Sequence, residues 1–509
     1  MSSEFLSSGK HHNRSVEDNE VLSSKIMNTM HPLSRRHWLA RCGQGMGAIG
    51  LASLLSDNGL LAGDAVSASA SMGPLSPKTP HFAAKAKRVI WLFINGGPSQ
   101  VDTWDYKPAL EKLDGTKLEG FDNTTGFFPD SVGALMKSPF KFSQQGECGK
   151  WVSDIFPQLS QHVDKMAFIH SNHTQSNNHS PALFMMNSGM RRMGFPCIGS
   201  WLTYGLGTEN QDLPAFVVMS DPLGRGLPKG HSQNWGSGFL PSVYQGTHLR
   251  SQGDPIENLS PPETVSGNRQ RAMLDLIGKL GKHHLEDHPA EQELAARIES
   301  FELAYRMQSA SPEATDIASE PKHIQELYGI DDERCKHVAA QCLTARRMLE
   351  RGVRFVQIYS GGMENQRSWD GHNDIQGNHA QFAGETDKPF AALLADLQQR
   401  GMLEDTLVIW GGEFGRGAVA QKAEKPGRDH NPNANTIWMA GGGVRGGVSY
   451  GETNETGNEA VTNRVSVNDL HATILHLLGM DHERLTYRYS GRDFRLTDVA
   501  GNVVHDIVA

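Results

Sequence analysis

From residue 87 onward, short apolar runs alternate with stretches in which apolar positions recur every three or four residues. Arg88 to Ile94 is such a run, closed by Asn95-Gly96-Gly97-Pro98, and the pattern predicts a buried strand followed by a turn. Similar runs cover Met166 to His170, Ala215 to Met219, Val353 to Tyr359, Thr406 to Trp410 and Thr436 to Ala440. Helical spacing predicts helices over Pro181 to Met190, Ile198 to Leu206, Lys388 to Arg400 and Val467 to Leu478. Fully apolar strands alternating with helices predict an α/β chain with a mostly parallel central sheet covered on both faces. Residues 252–333 break that rhythm. They are charged, helical in period over Arg271 to Leu280 and Glu291 to Tyr305, and bounded by Pro261-Pro262 and Ser311-Pro312. They are read as a helical insertion.

In an open α/β sheet, ligands bind beyond the carboxyl ends of the strands. The polar clusters of this chain gather there. Asn95 to Asp102 leaves the first strand, His170-Ser171-Asn172-His173 the second, and Asn177-Asn178-His179-Ser180-Pro181 opens the next helix. Trp369 to Asp374 follows the Val353 run, Gly411 to Arg416 closes the Thr406 run, and Gly427 to Pro432 precedes the Thr436 run. His179, Asp370, His372, Glu413 and His430 are therefore candidate metal ligands. Each also has an ordinary reading. His179 could start a helix with Ser180 as N-cap and Pro181 first inside it. Glu413 could pair with Arg416, Asp370 could face solvent and His430 could be a surface histidine.

Imidazole and carboxylate donors together suit a divalent transition metal, zinc or manganese, better than calcium. Ser180, near a helix N-terminus, is the candidate nucleophile. Arg416 and Arg428 are candidate cations for a developing oxyanion.

The net charge of -9 leaves no basic footprint for a nucleic-acid partner. Beyond Cys42, the four cysteines Cys148, Cys197, Cys335 and Cys342 form no C-x-x-C pair, so neither a zinc knuckle nor a disulfide framework is indicated. Cys335 and Cys342 share one face if helical, which fits buried thiols.

Ser34-Arg35-Arg36-His37-Trp38-Leu39 precedes a weakly apolar stretch from Cys42 to Leu61, the pattern of a twin-arginine export signal. Asp57 and Asn58 interrupt the stretch, which falls short of the ~20 apolar residues of a spanning helix, so no stable membrane insertion is expected. Ala68-Ser69-Ala70 offers a cleavage site, and Arg41 before Cys42 argues against a lipobox. Residues 1–33 read as a disordered leader, 34–70 as the signal and 85–509 as one domain carrying the 252–333 insertion.

Asn95 to Pro108, Gly411 to Arg416, Gly427 to Asn431, Val467 to Gly479 and Tyr489 to Val499 resemble the DUF1501 proteins, exported bacterial proteins placed with the alkaline phosphatase and sulfatase superfamily. The resemblance implies an alkaline-phosphatase-like fold and a divalent metal at the strand ends. It likens His430, Asp370 and His372 to the metal-binding residues of phosphatases, and Glu413 to the carboxylate of their Asp-His pair. It also places Asn95 where an Asp ligand would stand. The chain departs from the superfamily pattern in places. His179 occupies the sulfatase nucleophile position, Leu183 replaces the sulfatase arginine, Gln100 replaces the DUF1501 histidine and Gly417 its threonine.

The expected protein is periplasmic or secreted and hydrolyses a sulfate or phosphate ester of a small molecule or polysaccharide. The alternative is a non-catalytic relative that binds metal or serves envelope assembly. Replacing both Arg35 and Arg36 by Lys is expected to abolish export through the Tat translocase, read by immunoblotting of periplasmic fractions.

Overall fold

Along the strand Arg88–Ile94 (β1), alternate side chains enter two different cores. Ile90, Leu92 and Ile94 pack on one face of the sheet and Val89, Trp91 and Phe93 on the other, all buried. A strand buried on both faces must be apolar throughout, which is why β1 and its neighbours show no polar alternation. The computed structural model describes residues 73–250, 256, 264–288 and 292–509. The leader and export signal read from residues 1–70 lie outside the described residues. Gly267–Leu276 segregates as a separate unit, and the sheet and cleft lie within the unit of Ser69–Ser266 and Ile277–Ala509.

The other strands of the main sheet are Met166–His173 (β2), Phe216–Met219 (β3), Thr247–Leu249 (β4), Phe355–Ser360 (β5), Thr406–Gly411 (β6), Asn435–Ala440 (β7), Val448–Tyr450 (β8) and Val465–Ser466 (β9). Their order is β8-β2-β7-β6-β1-β5-β3-β4, with β9 pairing β2. β1 runs parallel to both β5 and β6, as expected from sequence. β7 is the exception, antiparallel to β6 and to β2. The reversal matters: the residues leading into β7 arrive at the edge where its neighbours end, so a loop before a strand joins loops that follow strands.

Helices Lys336–Glu350 (α3) and Ile375–Gln399 (α4) cover one face. Helices His179–Ser188 (α1), Ile198–Leu206 (α2) and Val467–Leu477 (α5) cover the other. Two departures from the expected helix starts have local causes. α1 starts at His179, two residues earlier than expected, because the Asn178 side chain caps it by accepting from the Ser180 N–H at 3.3 Å. α4 starts at Ile375 rather than Lys388; its Asp374 cap accepts from Gly377 N–H, and the helix absorbs Pro389. α3 was not read as a helix, though its N-cap Cys335 and interior Cys342 are indeed buried. In the insertion the helices are Gly267–Asp287, Gln292–Thr315 and Lys322–Tyr328, with Pro312 inside the second.

Two segments read as loops are strands. Gly415–Gln421 pairs antiparallel with Gly427–Asn431 and with Val132–Leu135 in a separate three-stranded sheet. Arg428 pins this sheet to the residues after β1. Its guanidinium bonds the Asp102 carboxylate at 2.7 and 3.2 Å, and both side chains are fully buried. Burial pushes the Asp102 carboxyl upward, but Arg428 and Ser99 more than offset this and hold it below the usual range. That contribution is present above the ordinary aspartate pKa and lost on acidification. Asp102→Ala, which strands a buried guanidinium, is expected to cost about 3–5 kcal/mol in urea unfolding. It should also flatten the acid limb of the stability profile.

Candidate metal centre

Three segments converge beyond the carboxyl ends of β2, β5 and β6. His179 is the first residue of α1, Asp370 and His372 follow β5, and His430 lies on the Gly427–Asn431 strand. One donor atom from each of the four lies within 4.8 Å of the others, and all four residues are buried. His372 Nε2 and His430 Nε2 face each other at 2.9 Å. Asp370 Oδ1 stands 3.0 Å from the first and 3.1 Å from the second.

The tautomers follow from the outer partners. His430 Nδ1 lies 2.6 Å from the Asn177 carbonyl oxygen, which can only accept, so Nδ1 carries the hydrogen. His372 Nδ1 likewise donates to Gln421 Oε1 at 2.7 Å. Burial, with the neighbouring His179 and Arg416 charges, holds His430 well below its ordinary pKa, so it is neutral. In this tautomer a neutral ring turns its Nε2 lone pair inward, toward the other ring and a carboxylate oxygen. Three acceptors in mutual contact repel unless a cation lies between them. Donor atoms around an ion with bonds of ~2.0–2.2 Å stand roughly 3 to 3.5 Å apart, which is the spacing found.

His179 supplies the fourth donor. Its Nδ1 lies 2.8 Å from Glu413 Oε1. Its Nε2 lies 3.2 Å from Asp370 Oδ2, yet no hydrogen bond of proper geometry reaches that buried atom. Burial works to lower the His179 imidazole, but the Asp370 and Glu413 carboxylates lift it to about 9. Burial would likewise raise the Asp370 carboxyl, while Arg416 and the three imidazoles hold it well below the usual range. Around the cluster, Asp370, Glu413 and Asp429 face the Arg416 guanidinium and the His179 imidazole, an excess of one negative charge. Donor set, spacing, orphaned nitrogen and charge all fit a divalent cation with nitrogen affinity.

Two expected ligands stand elsewhere. Glu413 is not in the cluster; its carboxylate accepts from Gly96 N–H at 3.0 Å and orients His179 from behind, as outer carboxylates do for metal-bound histidines. Asn95 donates its amide to the Gly362 carbonyl and leaves a buried Oδ1 without a partner, so it too lies outside the four.

The two arginines are also corrected. Arg416 is fully buried and engaged, donating to the Gly96, Gly97 and Arg428 carbonyls and at 2.6 Å to Asp370 Oδ1. Arg428 is occupied by Asp102 and by the Gly417, Ala418 and Met136 carbonyls. Neither guanidinium reaches a ligand in the cleft. Sequence reasoning missed them as scaffolding because an arginine at a strand end looks the same whether it points out or in.

The cluster opens into a cleft of about 390 Å³ lined also by Ser180, Lys229, Glu364, Phe127 and Phe128. Among the described residues, the Ser180 hydroxyl has no hydrogen-bond partner within the chain. Lys229 pairs with Glu364 at 3.0 Å and is about a third exposed, which makes it an accessible cation of the cleft wall. Lys229, Gln421, Asn177 and the two phenylalanines carried no motif. Gln100, the departure from the family histidine, grips the backbone of Arg416 instead, accepting from its N–H and donating to its carbonyl. Close approach demands glycine at two points: a Cβ on Gly96, at φ +104°, would stand 2.6 Å from Asp370 N, and one on Gly427 2.2 Å from the His372 carbonyl.

Residues 86–508 match the model of the family described as "Protein of unknown function (DUF1501)", and the chain belongs to that family. No curated protein matches it. Among solved structures it is similar to the alkaline phosphatase from the Antarctic bacterium TAB5, at 10% identity over 78% of this chain and 99% of that one, with a TM-score of 0.33. It is similar to the PsFucS1 sulfatase from Pseudoalteromonas sp., at 11% identity, 78% and 68% coverage and a TM-score of 0.33. A third is a protein in the alkaline phosphatase superfamily from Vibrio parahaemolyticus, at 10% identity, 82% and 72% coverage and a TM-score of 0.34.

Removing one donor should empty the centre, whereas changing Glu413 should only loosen it. His430→Ala is expected to purify without stoichiometric zinc or manganese. Glu413→Gln is expected to keep the ion with affinity reduced about 10–100-fold. Elemental analysis and competition with a chelator distinguish the two, and wild-type content in both variants would sink the assignment.

Proposed function

We propose that the protein is an exported, metal-dependent hydrolase of sulfate or phosphate esters. The reading is carried by the cluster of possible metal donors His179, Asp370, His372 and His430 at the inner end of an accessible cleft. The family's placement with phosphatases and sulfatases, read from the motifs, agrees with it. A bound zinc or manganese ion would supply Lewis acidity toward the ester oxygen and a water of lowered pKa.

The remaining work falls to this chain's own residues. With Arg416 and Arg428 enclosed, Lys229 is the cation able to meet the anionic ester group. The exposed rings of Phe127 and Phe128 border the entrance and favour a ring-bearing substrate, a sugar or an aryl group. Ser180 stands on the cleft wall as a candidate nucleophile, but no base is hydrogen-bonded to it, so a water nucleophile is the simpler reading. Export rests on the Arg35-Arg36 pair.

One observation favours the second reading, a non-catalytic metal-binding relative. Leu183, where sulfatases carry an arginine, is buried and brings no charge of its own to the cleft. A panel of aryl sulfates, phosphomonoesters and phosphodiesters, including sulfated polysaccharides, separates the readings in the presence of zinc, manganese or calcium. Turnover with zinc or manganese is expected, lost at least 100-fold in His430→Ala and lowered mainly through KM in Lys229→Ala. Metal-loaded wild type without turnover on any ester would establish the non-catalytic reading. Activity retained in Ser180→Ala would exclude the serine as nucleophile.

A further inference from the structure

A second pocket, of about 210 Å³, lies where the residues after β1 meet the edge strand β8, and it shares no lining residue with the cleft. Lys150 is one of its lining residues. The ammonium donates to His170 Nε2 at 2.5 Å and lies 4.5 Å over the Phe168 ring, with Ser449 Oγ at 3.5 Å. His170 Nδ1 contacts Thr436 Oγ1 at 3.2 Å, so its Nε2 is free to accept from the lysine.

These partners are neutral. Among the described residues, no carboxylate lies within ion-pair reach of Lys150. The nearest lining acid, Asp105, is already engaged by Lys107 at 3.0 Å and by the Thr453 hydroxyl. An enclosed ammonium without a counter-charge is costly, and here burial pushes it down to about 8, with Asp105 opposing the shift. Apolar rings form the walls. Trp151 is 40% exposed at the rim and packs 4.8 Å from Tyr106, while Trp104 lies deeper.

We infer that this pocket is a binding site for a small ring-bearing oxyanion, whose anionic group meets Lys150 and whose ring lies against Trp151 and Tyr106. The ammonium supplies the charge-assisted donors and the aromatic faces the apolar contact. The anionic group is a carboxylate, sulfate or phosphate, and its carrier is a single sugar or aromatic ring. The site does not depend on the hydrolase reading, because none of its residues belongs to the metal centre.

Isothermal titration of the full mature chain with four probes tests the inference: benzoate, glucuronate, inorganic sulfate and inorganic phosphate. At least one ring acid is expected to bind more tightly than both inorganic ions. Lys150→Gln should weaken that binding at least 10-fold, and Trp151→Ala, at an exposed position, should weaken it about 5- to 30-fold while leaving metal content unchanged. Thermal unfolding of each variant checks the fold, and Trp151→Ala carries the test if Lys150→Gln does not fold. Binding of none of the four probes, or ring-acid affinity unchanged in the folded variants, overturns the proposal. Inorganic ions binding as tightly as the ring acids overturns the role of the ring.

Discussion

The cleft is assembled around one buried guanidinium. Arg416 cannot lose its charge and offers five donors in a planar fork, so every oxygen it faces is held in a defined direction. It binds the carbonyls of the turn after β1, the carbonyl of Arg428 on the neighbouring strand and the carboxylate of Asp370. Those contacts join three segments that the Asp102–Arg428 pair and backbone hydrogen bonds also hold together. Gln100 then fixes the arginine's own backbone. Without Arg416, Asp370 would be a buried anion left with the Asn365 N–H and the His179 imidazole, and the loop carrying it and His372 would lose one of its anchors.

Arg416 offsets only part of the local charge. The fold gathers more carboxylate and imidazole acceptors than its own cations and hydrogens can satisfy, and a chain selected for stability alone would not keep such a cluster. Natural proteins break local rules of this kind at functional sites and compensate elsewhere. Here the compensation is a rigid surround: the capped start of α1, the apolar strands beneath and the Asp102–Arg428 pair behind. The outer partners hold the imidazoles so that their nitrogens cannot swing away to find hydrogens.

The sheet was legible because its strands are buried on both faces, and such strands announce themselves as unbroken apolar runs. The meeting of His179, Asp370, His372 and His430 followed from placing their motifs at strand ends. It held for His430 only because β7 runs opposite to β6, a direction that apolar content does not encode. Glu413 was placed on the correct loop but one layer too close, since a carboxylate that binds an ion and one that orients a histidine look identical in sequence. Gly415–Gln421 and Gly427–Asn431 escaped notice because glycine, charged and amide residues make up most of them, so their composition is that of loops. The start of α4 was missed for a related reason: its first turns carry Gly377, Asn378 and His379, which line the loop beside Asp370 rather than the core.

The four donors come from positions spread between residues 179 and 430, with strands β7, β8 and β9 of the sheet and the helix α5 still beyond them. No early fragment of the chain can hold the ion. During synthesis, His179 and α1 emerge long before the strand that bears His430, so the centre cannot form until nearly the whole polypeptide has left the ribosome and closed its sheet. Acquisition of a cation by this cluster would then be a late event that reports on completed folding.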